Sequence, residues 1–325
     1  MINKTTIIVG GGPAGAACAW RLKTTGIDTV IIDKKPFPRL KLCAGWVTPQ
    51  VFKLLQVHPR DYPHSIIEFN RLICYFRGVR VPVRTRQYSI RRYEFDNWLL
   101  ERSGVPAVRH AVQTIRKDNG HYVIDDQYRC KYLVGAGGTH CPVHRQIFNR
   151  ISPHPETSRI ATVEEEFRHD YVNPNCYLWF FENGLPGYAW YVPKGSGYLN
   201  IGIGGKQASM RKQSKTIREY WGAFKQKLLS SGLVPEREFN TKGHVYYIRH
   251  RTPVLQFENA YLAGDAAGLA TVDMGEGIRP AIESGLRAAR AIIQGTSYRM
   301  PLTAKYSWPG ILWAGIAGLA GADKL

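Results

Sequence analysis

The sequence predicts an α/β fold: a Rossmann-type dinucleotide-binding domain assembled from discontinuous segments, with an inserted β-rich substrate domain. Three observations carry this reading. An apolar run, Thr5 to Gly10, leads into the turn Gly10-Gly11-Gly12-Pro13-Ala14-Gly15 and then into a stretch of helical composition. A second small-residue turn, Gly264-Asp265-Ala266-Ala267-Gly268, follows another apolar run much later in the chain. Between them lies strand-rich, aromatic sequence such as YLWFF and YAWYVP. The nucleotide-binding domain is therefore expected from residues 1–70, 92–157 and 255–300. The β-rich domain is expected from 71–91 and 158–254, and 301–325 forms an apolar C-terminal segment.

Taken in order, residues 5–10 read as a buried strand and 13–25 as a helix stopped by Gly26. Residues 29–33 read as the second strand, completing a βαβ unit. Residues 35–60 read as loop and short helix, and 70–92 as strands with turns. Glu94 to Ser103 reads as a helix, and 111–134 as a hairpin turning at Asn119-Gly120. Residues 158–205 are strands, 210–232 a basic amphipathic helix, 244–265 strands again, and Glu276 to Gly295 a long helix. No internal repeat is present.

With 325 residues and 44% apolar composition, the chain can bury a full core. The charge is unusual: 44 Lys plus Arg against 25 Asp plus Glu, a formal +19. Such a field attracts acidic partners, anionic lipid or a diphosphate substrate. The basic residues are dispersed and no nucleic-acid motif accompanies them, so nucleic acid is not expected. Six cysteines show no CxxC and no zinc-ligand spacing, which predicts no metal site and fits a reducing cytoplasm. The run Trp308 to Ala322 is shorter than the about 20 residues of a membrane span. It reads as a buried helix or as a peripheral contact with membrane or lipid.

The turn chemistry is specific. Gly10 permits the tight turn, Gly12 lets a pyrophosphate approach the backbone past Pro13 and Ala14, and Gly15 allows close helix–strand packing. The helix start then offers N–H groups to phosphate. Asp33, followed by Lys34, ends the second strand where a carboxylate can bond ribose hydroxyls. Asp265 can accept from a polyol hydroxyl. Gly275, Gly277 and Ile278 open the long helix, whose positive end can face a developing negative charge.

The pairing of the two glycine turns resembles FAD-dependent oxidoreductases of the p-hydroxybenzoate hydroxylase superfold. Three stretches resemble the geranylgeranyl reductase family in particular: Lys41-Leu42-Cys43-Ala44-Gly45, Pro186 to Pro193 followed by Gly195 to Gly204, and Gly264 to Ile278. The resemblance spans about residues 5–295. It implies FAD as cofactor and Arg92, in an R-x-x-F-D element, as a contact to it. It implies a further contact at Gly135-Ala136-Gly137 and a loop carrying Cys43, Ala44 and Gly45 beside the flavin ring. Relatives carry Asp where this chain has Gly137, which speaks against direct reduction by NAD(P)H and for an acidic donor such as ferredoxin. The implied reaction is hydride transfer from flavin N5 to a carbon–carbon double bond of an isoprenoid or lipid-like substrate. Cys43 is a candidate gate or proton donor, with Tyr188 and Trp190 lining the substrate pocket. A flavin-dependent monooxygenase or halogenase is the alternative.

Overall fold

The computed structural model describes residues 1–171, 174–250 and 253–301. The apolar run Trp308 to Ala322 lies outside the described residues.

The chain opens with strand β1 (Ile2–Val9), helix α1 (Pro13–Lys23) and strand β2 (Thr29–Asp33). Short β3 (Trp46–Val47) and α2 (Pro49–Leu55) follow, then the hairpin β4 (Ile67–Phe76) and β5 (Val79–Ser89). Helix α3 (Arg92–Arg102) precedes β6 (Ala107–Arg109), β7 (Ile115–Asp118), β8 (His121–Ile124) and β9 (Tyr128–Gly135). Four long strands come next: β10 (Arg159–Arg168), β11 (Cys176–Phe180), β12 (Gly187–Lys194) and β13 (Tyr198–Lys206). Helices α4 (Gln207–Lys212) and α5 (Ile217–Ser230), strands β14 (Lys242–Tyr247), β15 (Gln256–Phe257) and β16 (Ala260–Leu262), and helix α6 (Ile278–Gln294) complete it.

These strands form two sheets. The first runs β15-β16-β9-β1-β2-β6, with β8 and β7 extending from β9. Its central pairs, β16–β9, β9–β1, β1–β2 and β2–β6, are all parallel. Parallel strands are buried on both faces, which is why Ile7, Ile8, Ile31, Ile32 and Leu133 are fully buried. The chain leaves β1 toward β2 on one side, while β9 adds on the other. A crevice therefore opens at the carboxyl ends of β1 and β9.

The second sheet runs β14-β10-β13-β12-β11-β4-β5-β3 and is antiparallel except for β11–β4. Its residues alternate. On β13, Leu199, Ile201 and Ile203 pack with Tyr220, Phe224 and Leu228 of α5. The alternate residues Asn200, Gly202 and Gly204 lie on the opposite face, where Gly204 lines the crevice.

Three local expectations need correction. The stretch 210–232 is two helices, not one. Ser214 takes a left-handed φ of 54°, and a capping box between Thr216 and Glu219 starts α5 afresh. The hairpin expected across 111–134 forms as β7–β8 about Asn119-Gly120, but the same stretch also holds β9, which pairs with β8 to make a three-stranded unit. The long helix begins at Ile278 rather than Glu276. Thr271 N–H donates to Glu276 O at 2.9 Å, and Glu276 N–H to Thr271 Oγ1 at 3.0 Å, so this backbone closes a turn ahead of the helix.

Helices α1 and α6 pack at unusually close range. A Cβ at Gly285 would overlap the carbonyl of Ala14. Replacing Gly285 with Ala should therefore destabilise the protein by about 1–3 kcal/mol, as forced overpacking does. Urea unfolding reads this directly, and an unchanged midpoint would mean the helices do not meet this closely.

Candidate active site

The carboxyl ends of β1, β2, β9 and β16 open onto a cavity of about 950 Å³, walled on its far side by the second sheet. From the first turn, Gly10, Gly12, Pro13 and Ala14 line it; Asp33 and Lys34 line it beyond β2. Cys43, Ala44, Arg92, Ala136 and Gly137 follow, then Gly264, Asp265, Gly275, Gly277 and Ile278, with Tyr188 and Trp190 on the far wall. Gly15, Gly45 and Gly135 do not line it. A Cβ at Gly15 would overlap the Gly10 carbonyl, and one at Gly135 would crowd Val143, so both serve packing behind the cavity. A Cβ at Gly45 would overlap Nζ of Lys194, a residue the sequence reading passed over.

One end of the cavity carries the features that a dinucleotide would need. Gly10 has φ 111°, and a side chain there would strike the Ala136 backbone. Gly12 is the N-cap of α1, which has no side-chain cap and no acidic residue in its first turn. Its amides are left to an external anion. Arg39, also missed from sequence, brings Nη2 to 3.6 Å from where a Gly12 Cβ would stand. Its buried Nε has no hydrogen-bond partner. Asp33 is fixed by two backbone donors, Gly11 N–H to Oδ2 at 2.8 Å and Lys35 N–H to Oδ1 at 3.0 Å. An orphaned guanidinium nitrogen, an uncapped helix start and an oriented carboxylate fit a dinucleotide diphosphate and ribose, as FAD would supply.

The other end carries a second helix start. Gly275, at φ 62°, and the N-cap Gly277 leave α6 without a side-chain cap. A Cβ at Gly277 would stand 3.3 Å from Asp265 Oδ1. Arg92 forks onto Asp96 at 2.6 and 2.8 Å, both residues buried. Cys43 Sγ accepts from Gly45 N–H at 3.3 Å. Lys41 Nζ lies 2.8 Å from His244 Nε2. Burial lowers the pKa of Lys41, and burial followed by the Lys41 charge takes His244 down to about 4, so the imidazole is neutral and accepts from the Lys41 amine. Gly137 packs against Cys141, with room for a Cβ only at 3.3 Å from its Cα and Sγ.

The second sheet supplies the far wall. Tyr188 donates its hydroxyl hydrogen to the Met274 carbonyl at 2.6 Å, and burial pushes its pKa far up. Trp190 Nε1 donates to Asn200 Oδ1 at 2.7 Å. Phe180, Tyr188 and Trp190 form a run of rings with centroids 5.3 and 5.8 Å apart. Sequence alternation pointed to Tyr188 and Trp190. Nothing in the sequence marked Lys194 or Glu164 of this wall, because a lone charge within a strand ordinarily reads as solvent-facing.

Substituting Asp33 with Ala removes a carboxylate that also braces the Gly11 amide. Hydrogen bonds to charged groups contribute about 1.5–3 kcal/mol, so FAD affinity should fall roughly 10- to 100-fold. Quenching of flavin fluorescence on titration measures this, and unchanged affinity would place the ribose elsewhere.

A family model described as an NAD(P)-binding Rossmann-like domain matches residues 8–44. An uncharacterised protein of Methanosarcina barkeri is 31% identical over 307 residues, covering 88% of this chain and 73% of that protein. The geranylgeranyl diphosphate reductase of Rhodobacter capsulatus is 22% identical over 334 residues, covering 94% of this chain and 79% of its own length. Among solved structures, a geranylgeranyl bacteriochlorophyll reductase-like protein from Thermoplasma acidophilum superposes with a TM-score of 0.79 at 20% identity, over 98% of this chain and 88% of that one. That likeness carries the fold, while the sequence relatives and the three motifs carry the membership. The chain belongs to the geranylgeranyl reductase family of FAD-dependent oxidoreductases.

Proposed function

We propose that this chain reduces carbon–carbon double bonds of an isoprenoid or similarly apolar substrate. The observation that carries this reading is the far wall of the cavity. Phe180, Phe181, Tyr188, Trp190 and Met274 offer an apolar, aromatic surface to whatever lies across from the α6 start. Aromatic walls of this kind suit an apolar chain and exclude water. Relatives named as reductases of geranylgeranyl compounds support the same substrate class.

FAD, when bound, supplies the hydride. The protein's part is to place and polarise. The α1 amides and Arg39 would hold the diphosphate, and Asp33 would hold the ribose. The uncapped start of α6 would lend its partial positive charge to the negative charge that the reduced flavin carries. Arg92, fixed by Asp96, and the Cys43 loop border the same space. The fixed Tyr188 and Trp190 give the substrate one face to lie against.

The formal charge of +19 supports an acidic protein donor of electrons, of ferredoxin type, and attraction to anionic lipid surfaces. Six unpaired cysteines suit a reducing cytoplasm. Among the described residues, no helix is long and apolar enough to cross a membrane.

The test is an anaerobic single turnover. Enzyme reduced with dithionite and freed of excess reductant is mixed with geranylgeranyl diphosphate or a geranylgeranylated lipid. Stoichiometric return of the oxidised flavin spectrum with a saturated product is expected. Reoxidation that waits for air would instead favour an oxygen-using enzyme.

A further inference from the structure

Glu164 stands on β10 with its side chain on the cavity face of the second sheet. The strand register fixes its neighbours. Glu164 pairs with Gly202 of β13, and Gly202 pairs with Trp190 of β12. A Cβ at Gly202 would collide with both the Trp190 indole and the Glu164 Cβ. The missing side chain lets the indole lie across the strand beside the carboxyl group. The hydrogen bond from Trp190 Nε1 to Asn200 holds that ring in place. Glu164 is only 2% exposed, and its Oε2 is buried with no hydrogen-bond partner.

The surrounding charges are committed elsewhere. Lys194, with no exposure at all, donates to the carbonyls of Ala44 and Ile90 and lies 3.7 Å from Glu166. Glu166 also receives Arg91 at 2.9 Å. Arg92 is taken by Asp96, and Lys41 by His244. From β12 and β14 the hydroxyls of Tyr188 and Tyr246 complete the surroundings, and Lys242, opposite Glu164 on β14, is exposed. Among the described residues no ion pair reaches Glu164. A buried carboxyl without a contacting counter-charge favours its neutral form. Burial lifts its pKa to about 7, against the pull of Lys194 and Lys41.

We propose that Glu164 is the acid that protonates the substrate double bond, a role that rests on the alkene-reductase reading above. A hydride supplied by the reduced form of FAD, which would return to oxidised FAD, would form a C–H bond at one alkene carbon. The π pair forms the second C–H bond by taking the proton of the Glu164 carboxyl, whose O–H bond breaks. The two electrons come from FAD, recharged by the external donor, and the Glu164 carboxylate recovers its proton from water between turnovers. Among the neighbouring candidates, the Tyr188 proton is already engaged by the Met274 carbonyl.

The experiment compares wild type, E164Q and E164D, each loaded with FAD, in the anaerobic single turnover on geranylgeranyl diphosphate between pH 5.5 and 9. The wild-type rate should be constant at low pH and fall as pH rises through about 7. E164Q should keep its FAD affinity, lose roughly 100-fold or more in rate, as general acids contribute, and lose that pH dependence. E164D should recover part of the rate. Infrared spectra of wild type labelled with ¹³C-glutamate provide a readout without turnover. A protonated carboxyl band should vanish through the same pH range and be missing from E164Q. An E164Q rate within about threefold of wild type, far short of a general acid's contribution, would overturn the role of Glu164 alone. So would an infrared titration showing no buried neutral glutamate, which decides the matter should E164Q fail to fold. A wild type that binds FAD yet never reduces the alkene would overturn the substrate reading, and this role with it.

Discussion

An ammonium removed from water must be satisfied entirely by protein, and Lys194 meets that demand by joining three parts of the chain. It extends from the end of β12, in the second sheet, to the carbonyl of Ala44 in the Cys43 loop and to that of Ile90 just before α3. Glu166 supplies the nearest negative charge. Breaking such a contact strands a buried charge, which costs far more than the contact itself contributes. The loop beside the cavity, the helix that carries Arg92 and the wall that carries Trp190 are therefore held in one relation. Gly45 makes this possible, since any side chain there would occupy the ammonium's place.

Around that tie the cavity is electrostatically divided. Its nucleotide end has the uncapped start of α1, the unpartnered Nε of Arg39 and a braced carboxylate. Its ring end has the start of α6 and the Arg92–Asp96 fork. Across from these, the wall sets the rings of Phe180, Tyr188 and Trp190 beside Glu164, whose Oε2 has no hydrogen-bond partner. On the proposed reading, the two helix starts would face the cofactor's anionic groups, and Glu164 would face the substrate.

Much of the first sheet was legible from sequence, because its signals are local. A buried strand, a glycine turn and a helix occur in one continuous stretch from Ile2 to Lys23. The Gly264 turn and the long helix after it were readable for the same reason. The wall was half legible: alternation marked Tyr188 and Trp190 but said nothing of what lies across the strands. Glu164 and Lys194 acquire meaning only through the register that sets Glu164 beside Gly202 and through the fold that brings Ala44 to β12. Gly45 belonged to the right motif, yet its neighbour is a lysine 149 positions later (194 − 45) and not the cavity. The split of 210–232 into two helices was written in Thr216 and Glu219, a capping pair hidden within an otherwise continuous amphipathic pattern.

The claim on which all of this rests is that one cofactor spans both helix starts with its ring facing the Trp190 wall. A crystal structure of the FAD complex tests that claim most directly. The expected result has the diphosphate bonded to the first-turn amides of α1 and to Arg39. The pyrimidine edge meets the amides of α6, and open space remains between the ring and Glu164. A ring turned away from the second sheet, or a diphosphate bound anywhere but the α1 start, would contradict it.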